Sequence, residues 1–539
     1  MAAARSAPGP TAAAPRRLRA RPRLFPAGPG SLPPAHRLFP ARTGSSQPTP
    51  AALSRPPYSG ISGPLGASGC VPGPGVADHP PGGTMSTAIP RTPGRNPAPG
   101  ALPLLGHTAS MLKDPLGFFA ALPAHGDLVD IRMGPFKAVV VTTPELIHQV
   151  LMDDRTFDKG GPVYERTREV LGDGVVTCPY SEHRRLRRVA QPAFSPARHA
   201  AYARIMCEQT ARVTDTWSDG REIDILADMT TVAARTGVAA FFAGHLSSPS
   251  LAKTPKDLAT VSRGVYRRML LPAPLDRIPT PGKRRYDRSR ARLRSTIGGV
   301  IAEYRRTGED HGDLLSMLLA TTGEGLTDTE LNDAAITFFF GATDTIAITI
   351  SWALHRISTD RRIEEAFHTE VDTVLDGRTA AGYDDLERLV LTRRIITETL
   401  RLYPPIWLFT RKVSTDTELG GHRVPAGTNV VISPYLVHRS GELHPDPERF
   451  DPSRWETKGL EPVRRGVLPE ILPFGGGARG CMGETFAINE ITLALTNIAA
   501  RWRLLAVDPA AVRPTSGAIL GPSGLRLRAA ARTPERAGR

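Results

Sequence analysis

Residues 474–483 read Phe474-Gly-Gly-Gly-Ala-Arg479-Gly-Cys481-Met-Gly483, a loop of little but glycine that carries one cysteine. Glycine accepts positive φ and lets backbone come close to a flat ligand. A flexible loop around a buried structural thiol accounts for the glycines at 475–477. It does not account for an aromatic, an arginine, a cysteine and a glycine at fixed offsets. A metal-bound thiolate accounts for all four. Backbone N–H groups around the sulfur stabilise the anion and tune a bound metal. Arg479, two residues earlier, meets a negative group on the same cofactor. Phe474 shields the sulfur from water, and Gly475 and Gly483 give the ligand room.

The rest of the chain sets bounds on this reading. The four cysteines, Cys70, Cys178, Cys207 and Cys481, show no CxxC or zinc-type spacing. That argues against a disulfide framework and suits a reducing compartment. The net charge of +15 is misleading. Residues 1–84 hold nine Arg and one acid, Asp78, so they supply eight of the fifteen charges, and they hold 18 of the 51 prolines. Such a Pro/Arg/Gly-rich leader cannot bury a core. It reads as an Arg-rich, acid-poor mitochondrial presequence, as a disordered arm, or as translated DNA upstream of a start at Met85. The prolines oppose the amphipathic helix of a presequence, and the compositional bias favours the start at Met85. Residues 85–539 then form one domain. A nucleic-acid binder would use the charge but leave the ordered motifs below unexplained, so no nucleic acid is expected.

Helical patterns dominate from about Pro97. Helices are expected over 197–217, 284–307, 328–358, 361–375, 385–402 and 484–502, and short strands over 128–133, 138–142 and 429–433. The third helix opens with a capping box, Thr327-Asp-Thr-Glu330. Its stretch 334–354 is apolar enough to consider as a membrane span, but Asp344 sits near the middle with threonines around it. A carboxylate there is costly in lipid, which favours a long central helix in a protein core and no membrane anchor.

Three further groups carry meaning. Asp344-Thr345 in mid-helix opposes helix propensity. The bland account is a threonine that bonds back to the carbonyl one turn earlier. The functional account is an acid and an alcohol beside the small pair Gly341-Ala342, forming a groove for a diatomic ligand and a proton relay. Glu398 and Arg401 stand at i, i+3 on one helical face, among apolar neighbours and before the stop at Tyr403-Pro404-Pro405. They read as a buried pair with Arg454 as third member, a scaffold for the loop that delivers Cys481. His183 and Arg187, at i, i+4, point at one anionic group, for which the arginine has bidentate geometry.

With these residues in order, the chain resembles the cytochrome P450 family. Phe474-x-x-Gly477-x-Arg479-x-Cys481-x-Gly483 matches its haem-binding signature at every defined position. Glu398-x-x-Arg401, Gly341-Ala-Thr-Asp344-Thr345 and Pro452-Ser-Arg454-Trp455 match its other landmarks, over roughly residues 97–530. Trp455 stands where Phe is usual, and Gly-Ala where Ala-Gly is commoner. The resemblance implies the fold of that family, mainly α with small β-sheets in a single haem-binding domain. It also implies a haem b monooxygenase. Cys481 would be the axial thiolate. Asp344 and Thr345 would deliver protons, and His183, Arg187, Arg411 and Arg479 would hold the haem propionates. The acid–alcohol pair favours O2 with two electrons over peroxide, and disfavours a non-catalytic haem-thiolate sensor.

The resemblance leaves no room for a flavin or nicotinamide domain, so electrons come from a separate ferredoxin and its reductase. Arg184, Arg185 and Arg188, with Arg464 and Arg465, would offer an acidic ferredoxin a basic face. The pocket would be apolar, built from Phe338, Ala342, Ile406, Leu408 and Ile519, with a loop at 163–176 (Glu165, Arg166, Arg168, Glu169) as the one source of charge. Residues 122–129, 155–162 and 173–179 resemble actinomycete terpene-oxidising members of the family. They point to terpene oxidation ahead of fatty-acid, steroid or macrolide hydroxylation. A monomer in the bacterial cytoplasm is expected, or in the mitochondrion if the leader is a presequence.

Overall fold

The computed structural model describes residues 94–242, 254–270, 278–320, 325–458, 471–517 and 519–532. The leader and Arg464-Arg465 lie outside the described residues. The helices that position the site are, in chain order, α1 (Pro144–Met152), α2 (Pro162–Leu171), α3 (Tyr180–Ala190), α4 (Pro196–Thr214), α5 (Ile225–Phe241), α6 (Thr254–Leu270), α7 (Pro281–Thr307), α8 (Asp328–Thr359), α9 (Arg361–Leu375), α10 (Val390–Leu402) and α11 (Glu484–Ala499). Small sheets complete the mainly α architecture, as expected.

The axis of the fold is α8. Its 32 residues span about 48 Å at 1.5 Å each. The predicted capping box is present: Glu330 N–H donates to Thr327 Oγ1 at 3.2 Å, and Thr327 N–H donates to Glu330 Oε2 at 2.8 Å. Both bonds satisfy donors that the helix itself leaves orphaned. The helix packs against α5, α7, α10 and α11. In its most apolar 18-residue window, 78% of the residues are buried inside the fold. A helix apolar on all sides needs partners on all sides, and here other helices supply them.

The largest sheet runs β1 (Arg95–Pro97), β2 (Leu128–Met133), β3 (Phe136–Val141), β4 (Phe157–Asp158), β5 (Phe409–Val413) and β6 (Asn429–Ile432) in chain order, and β1-β2-β3-β6-β5-β4 in space. β3 and β6 pair in parallel, Val139 with Val430 and Val141 with Ile432. All four side chains are buried, as expected of a parallel pair with both faces covered. β5 is antiparallel to β6 and sets Arg411 opposite Val430. One apolar core surrounds α5, α8 and α11, and a second lies beneath β2, β3, β6 and α1.

Two differences from expectation have local causes. Residues 163–176 were expected as a loop, but α2 occupies the first part, from Pro162 at its start to Gly172 at φ 63° just past its end. Proline at the first position and glycine beyond the last are helix punctuation as well as loop signals. α5 carries little signal in the sequence because its exposed stripe is Ala227, Thr231 and Arg235, with one charge among small residues to mark the polar face. Replacing the α8 cap by Thr327→Ala should cost about 1 kcal/mol. It should lower the thermal midpoint by about 1–2 °C, measured by calorimetry on the full chain.

Candidate functional site

The Cys481 loop is shaped by what it sits on. Gly475 and Gly477 both take positive φ, 70° and 64°. A Cβ on Gly477 would fall 2.1 Å from the Leu151 carbonyl oxygen near the end of α1. Only glycine fits there, on both conformational and steric grounds. Residues Gly477–Arg479 form a 3-10 turn. Cys481 N–H then reaches back to Phe474 O at 2.9 Å, and α11 begins three residues later. Burial pushes the Cys481 thiol up, while the Gly483 amide, Arg187 and Lys159 pull it down and Glu484 adds to the rise. Yet its side chain is accessible to water. A group hemmed in by protein and still accessible stands at the wall of a cleft, and a metal bound at its sulfur would supply the charge that deprotonates it.

The middle of α8 shows the same contradiction. Gly341 is exposed and Ala342, Asp344 and Thr345 are partly so, although Phe339, Thr343, Ile346 and Ala347 around them are buried. Thr345 Oγ1 donates to Gly341 O at 2.6 Å. This back-bond was the bland reading of the threonine, and it places the hydroxyl at the Gly341-Ala342 thinning of the helix. The Phe338 ring packs on Phe194, centroids 5.5 Å apart. Phe194 in turn lies 3.6 Å from where a Cβ of Gly483 would be. The centre of α8 and the cysteine loop therefore share a neighbour, and Ala342, Phe474 and Met482 pack on the same core. Phe338 itself, expected in the pocket, is a buried core ring that also meets Phe241.

The remaining apolar segments are tied to this centre by their backbones. Trp407 Nε1 donates to Gly517 O at 3.0 Å, and Leu520 N–H to Pro405 O at 3.0 Å. Trp352 of α8 donates from Nε1 to Leu520 O at 3.2 Å. These bonds bring the Ile406–Leu408 segment and the Ile519 turn together beside α8. Ile406 is exposed, and Leu408 and Ile519 are half-buried. A surface groove of about 400 Å3 lined by Arg294, Gly298, Ile301 and Asn332 contains none of these residues.

Positive charge gathers nearby without enough negative charge to match it. Lys159 lies in a field of like charges. Burial first, then Arg411, Arg479 and Arg187, depress its ammonium to about 7. His183 is pushed down to about 3 by burial, then by Arg479, Lys159 and Arg187. Its Nδ1 is buried with no protein partner. Arg411 is buried, with Nη1 donating to Thr410 O at 3.0 Å and to the Tyr164 hydroxyl at 3.3 Å. Arg187 Nη1 donates to Gly480 O at 2.7 Å and Ala478 O at 3.0 Å, which holds the cysteine loop from α3. Repelling cations and an orphaned ring nitrogen in one cluster fit a ligand that carries carboxylates. The donor set therefore fits haem with its propionates: Cys481 for the iron, and His183, Arg187, Arg411 and Lys159 for the acid groups.

Arg479 departs from the expected role. Its Nε donates to Asp154 Oδ2 at 3.2 Å, its Nη2 to Asp158 Oδ1 at 2.6 Å and its Nη1 to Cys178 O at 3.0 Å. Two carboxylates already answer its charge, so its present work is to anchor the loop to β4. Lys159 joins the cluster without a local signal in the sequence, since a lysine after Phe-Asp is unremarkable there. Only the register of β4 against β5, with Asp158 opposite Lys412, brings it near Arg411.

The scaffold expectation can be traced bond by bond. Arg401 binds Glu398 through Nε at 2.9 Å and Nη2 at 2.8 Å, with both side chains at 0% exposure. Arg454 Nε and Asp451 N–H add bonds to Glu398 Oε1 at 3.0 and 2.9 Å, and Trp455 Nε1 adds one to Oε2 at 3.0 Å. The indole bond explains Trp455, since phenylalanine has no donor there. Arg401 also donates to the carbonyls of His438, Pro447 and Arg449. His438, fully buried, has its pKa held well down by burial. Its Nε2 accepts from Leu472 N–H at 2.6 Å, so Nδ1 carries the proton to Arg401 O at 3.1 Å. Leu472 O then accepts from Gly475 N–H at 3.1 Å. The network ends in the cysteine loop.

Comparison with known proteins agrees with this geometry. The family model described as cytochrome P450 matches residues 90–527. Pentalenene oxygenase of Streptomyces avermitilis is 43% identical over 81% of this chain and 97% of its own. Cyclooctat-9-en-7-ol 5-monooxygenase of Streptomyces melanosporofaciens is 42% identical over 78% and 90%. Cyclooctatin synthase of the same organism is 41% identical over 80% and 94%.

Glu398→Gln would leave Arg401 buried with its charge unanswered, which costs about 3–5 kcal/mol. The variant should lose most of its bound chromophore on purification and unfold at markedly lower urea. Retention of both would show that the network does not carry the loop.

Proposed function

The chain belongs to the cytochrome P450 family, and we propose that it oxidises an apolar terpene at a C–H bond with electrons from a separate ferredoxin. Its activity class is that of a haem-thiolate monooxygenase. When bound, haem b supplies the iron that activates O2. One oxygen atom enters the substrate and the other leaves as water, which consumes two electrons and two protons. The observation that carries the reading is the pair of accessible groups in otherwise buried elements, Cys481 in its glycine loop and Gly341, Ala342, Asp344 and Thr345 in α8, with Phe194 lying between Phe338 of α8 and Gly483 of the loop.

Each residue of the chain has a task in this reading. Cys481 holds the metal, and the Gly483 amide and Arg187 temper the charge on its sulfur. His183, Arg187, Arg411 and Lys159 orient the cofactor through its acid groups. Thr345 presents a hydroxyl whose proton can leave the Gly341 carbonyl for an oxygen species in the cleft, and Asp344 beside it resupplies the proton. Ala342, Ile406, Leu408 and Ile519 exclude water and hold a hydrocarbon by burial. In α2, Arg166, Arg168 and Glu169 are engaged in ion pairs, which supports an uncharged substrate. Two of the relatives are named as a pentalenene oxygenase and a cyclooctat-9-en-7-ol 5-monooxygenase, and a terpene is the substrate class proposed here.

The ferredoxin would meet Arg184 and Arg188, both exposed on α3. Arg185, expected beside them, is bound to Glu182 and to Glu330 of the α8 cap, so its charge is answered within the fold. We place the enzyme in the bacterial cytoplasm, where the cysteines stay reduced.

Reduced-plus-CO spectroscopy should give the red-shifted band of a thiolate ligand in the wild type and lose it in Cys481→Ala. Cyclic sesquiterpenes and larger cyclic terpenes should shift the Soret band of the holoenzyme to the high-spin form, whereas macrolides should not. Thr345→Ala should keep the CO band but form product several-fold less efficiently per O2 consumed; undiminished coupling would end the relay role. For docking, Arg188→Glu should slow reduction by an acidic ferredoxin about tenfold at low salt, with the difference closing as ionic strength rises. An equal rate at low salt would remove α3 from the docking face.

A further inference from the structure

Among the described residues, the strands β7 (Arg513–Ser516) and β8 (Leu520–Ser523) pair only with each other, with Ser516 opposite Leu520 at the tip. A hairpin of two strands is marginal by itself in water, so its position must come from what it rests on. β8 is mostly buried and β7 mostly exposed. The tip between them carries Ile519, one of the residues assigned to the apolar wall. Inside the tip, Gly517 N–H donates to Ile519 O at 3.3 Å. That bond closes the turn but does not place it in the protein.

Three bonds from outside place it, and they bracket Ile519 on both sides. Trp407 Nε1 donates to Gly517 O at 3.0 Å, Trp352 Nε1 to Leu520 O at 3.2 Å, and Leu520 N–H to Pro405 O at 3.0 Å. Both indoles are buried, and a buried indole N–H, a donor only, needs an acceptor. Two of the five tryptophans in the chain spend that donor on this one turn. Each ring is itself fixed. Trp352 lies flat on Tyr403, centroids 3.9 Å and planes 5° apart. Trp407 meets Phe119 edge-on at 5.6 Å, and its carbonyl accepts from Ser433 Oγ at 2.8 Å. On α8, Trp352 stands seven residues after Thr345, within about 20° of two full turns, so the two share a face. Ile348, between them, is 3.4 Å from where a Cβ of Gly521 would be. The hairpin is therefore seated on α8 just past Thr345 and tied through Trp407 to the Ile406–Leu408 segment.

We propose that Trp352 and Trp407 are positioning residues for specificity: together they fix Ile519 between α8 and the Ile406–Leu408 segment, and so decide which carbon of an apolar substrate is turned toward Thr345. The two bonds fix different things. Trp352 sets where the tip lies along α8. Trp407 sets how far the tip stands from Ile406 and Leu408, its own neighbours in the chain. Both acceptors are backbone carbonyls, so the half-buried Ile519 side chain keeps its surface for a ligand. An apolar wall distinguishes one orientation of a hydrocarbon from another only if it does not yield, and a wall on a hairpin tip needs such support. The proposal rests on the haem-site reading only for Ile519 being a wall of the substrate cleft.

The test uses the full-length holoenzyme and two isomeric ligands of equal volume, 1-(1-naphthyl)imidazole and 1-(2-naphthyl)imidazole, titrated by their Soret shifts beside imidazole itself. Trp352→Phe and Trp407→Phe keep a ring at each site and remove only the donor. The wild type should bind one isomer more tightly. In each variant the ratio of the two Kd values should move toward one by about fivefold, the worth of one hydrogen bond, while imidazole binding stays within about twofold. Trp217→Phe is the control, since Trp217 Nε1 donates to Asp228 Oδ2 at 2.7 Å and does not hold the turn. It should leave the isomer ratio unchanged. A wild-type ratio near one, an unchanged ratio in both clamp variants, or an equal shift in Trp217→Phe would overturn the specificity role. Amide hydrogen exchange keeps this separate from the haem reading. Both clamp variants should speed exchange at Leu520 several-fold, and unchanged exchange there overturns the clamp even if no azole shifts the spectrum.

Discussion

Glu398 accepts five hydrogen bonds with no access to water, and the site depends on that arrangement. A carboxylate at 0% exposure is tolerable only when every lone pair is used and its charge is answered. Arg401 and Arg454 answer it, and their remaining N–H groups hold the carbonyls of a long irregular segment between 438 and 449. Irregular backbone in an interior must find partners outside itself. The guanidinium groups provide them. The last link, His438, converts this network into a hydrogen bond on Leu472, and so into the position of the cysteine loop.

The same economy of charge marks the ligand region, with the opposite result. Around Glu398 two guanidinium groups are both tied to one carboxylate. Around Lys159 and Arg411 the cations repel one another, His183 is held neutral among them, and the nearby carboxylates Asp154 and Asp158 are taken by Arg479. The first arrangement stabilises a scaffold. The second remains costly until an anionic ligand arrives, so cofactor binding and local stability are linked in this region. Dehydration works on Cys481 in the same sense, since its thiol is pushed up by burial and needs a metal to hold it as thiolate.

The helix α2 follows a third pattern. α2 is short, bracketed by Pro162 and Gly172, and buries Val170 and Leu171 of its last turn in the core. Its place is set by arginines reaching from α6 and α7 to its C-terminal carbonyls and to Glu169.

Much of this was legible in the amino-acid sequence, because the decisive features are local. The Cys481 loop needs glycines at particular offsets, the α8 cap needs Thr327 and Glu330 three residues apart, and Glu398 meets Arg401 across one helical turn. Short-range geometry of that kind is written in spacing, so the fold class, the metal ligand and the scaffold pair could be read in advance. Tertiary structure decided what spacing does not encode. It turned Arg479 towards Asp154 and Asp158, put Lys159 among the cations, and spent Arg185 on the α8 cap and Phe338 on the core. In each case the deciding partner lies far away in sequence, and a charge or a ring takes its role from whichever neighbour burial places beside it.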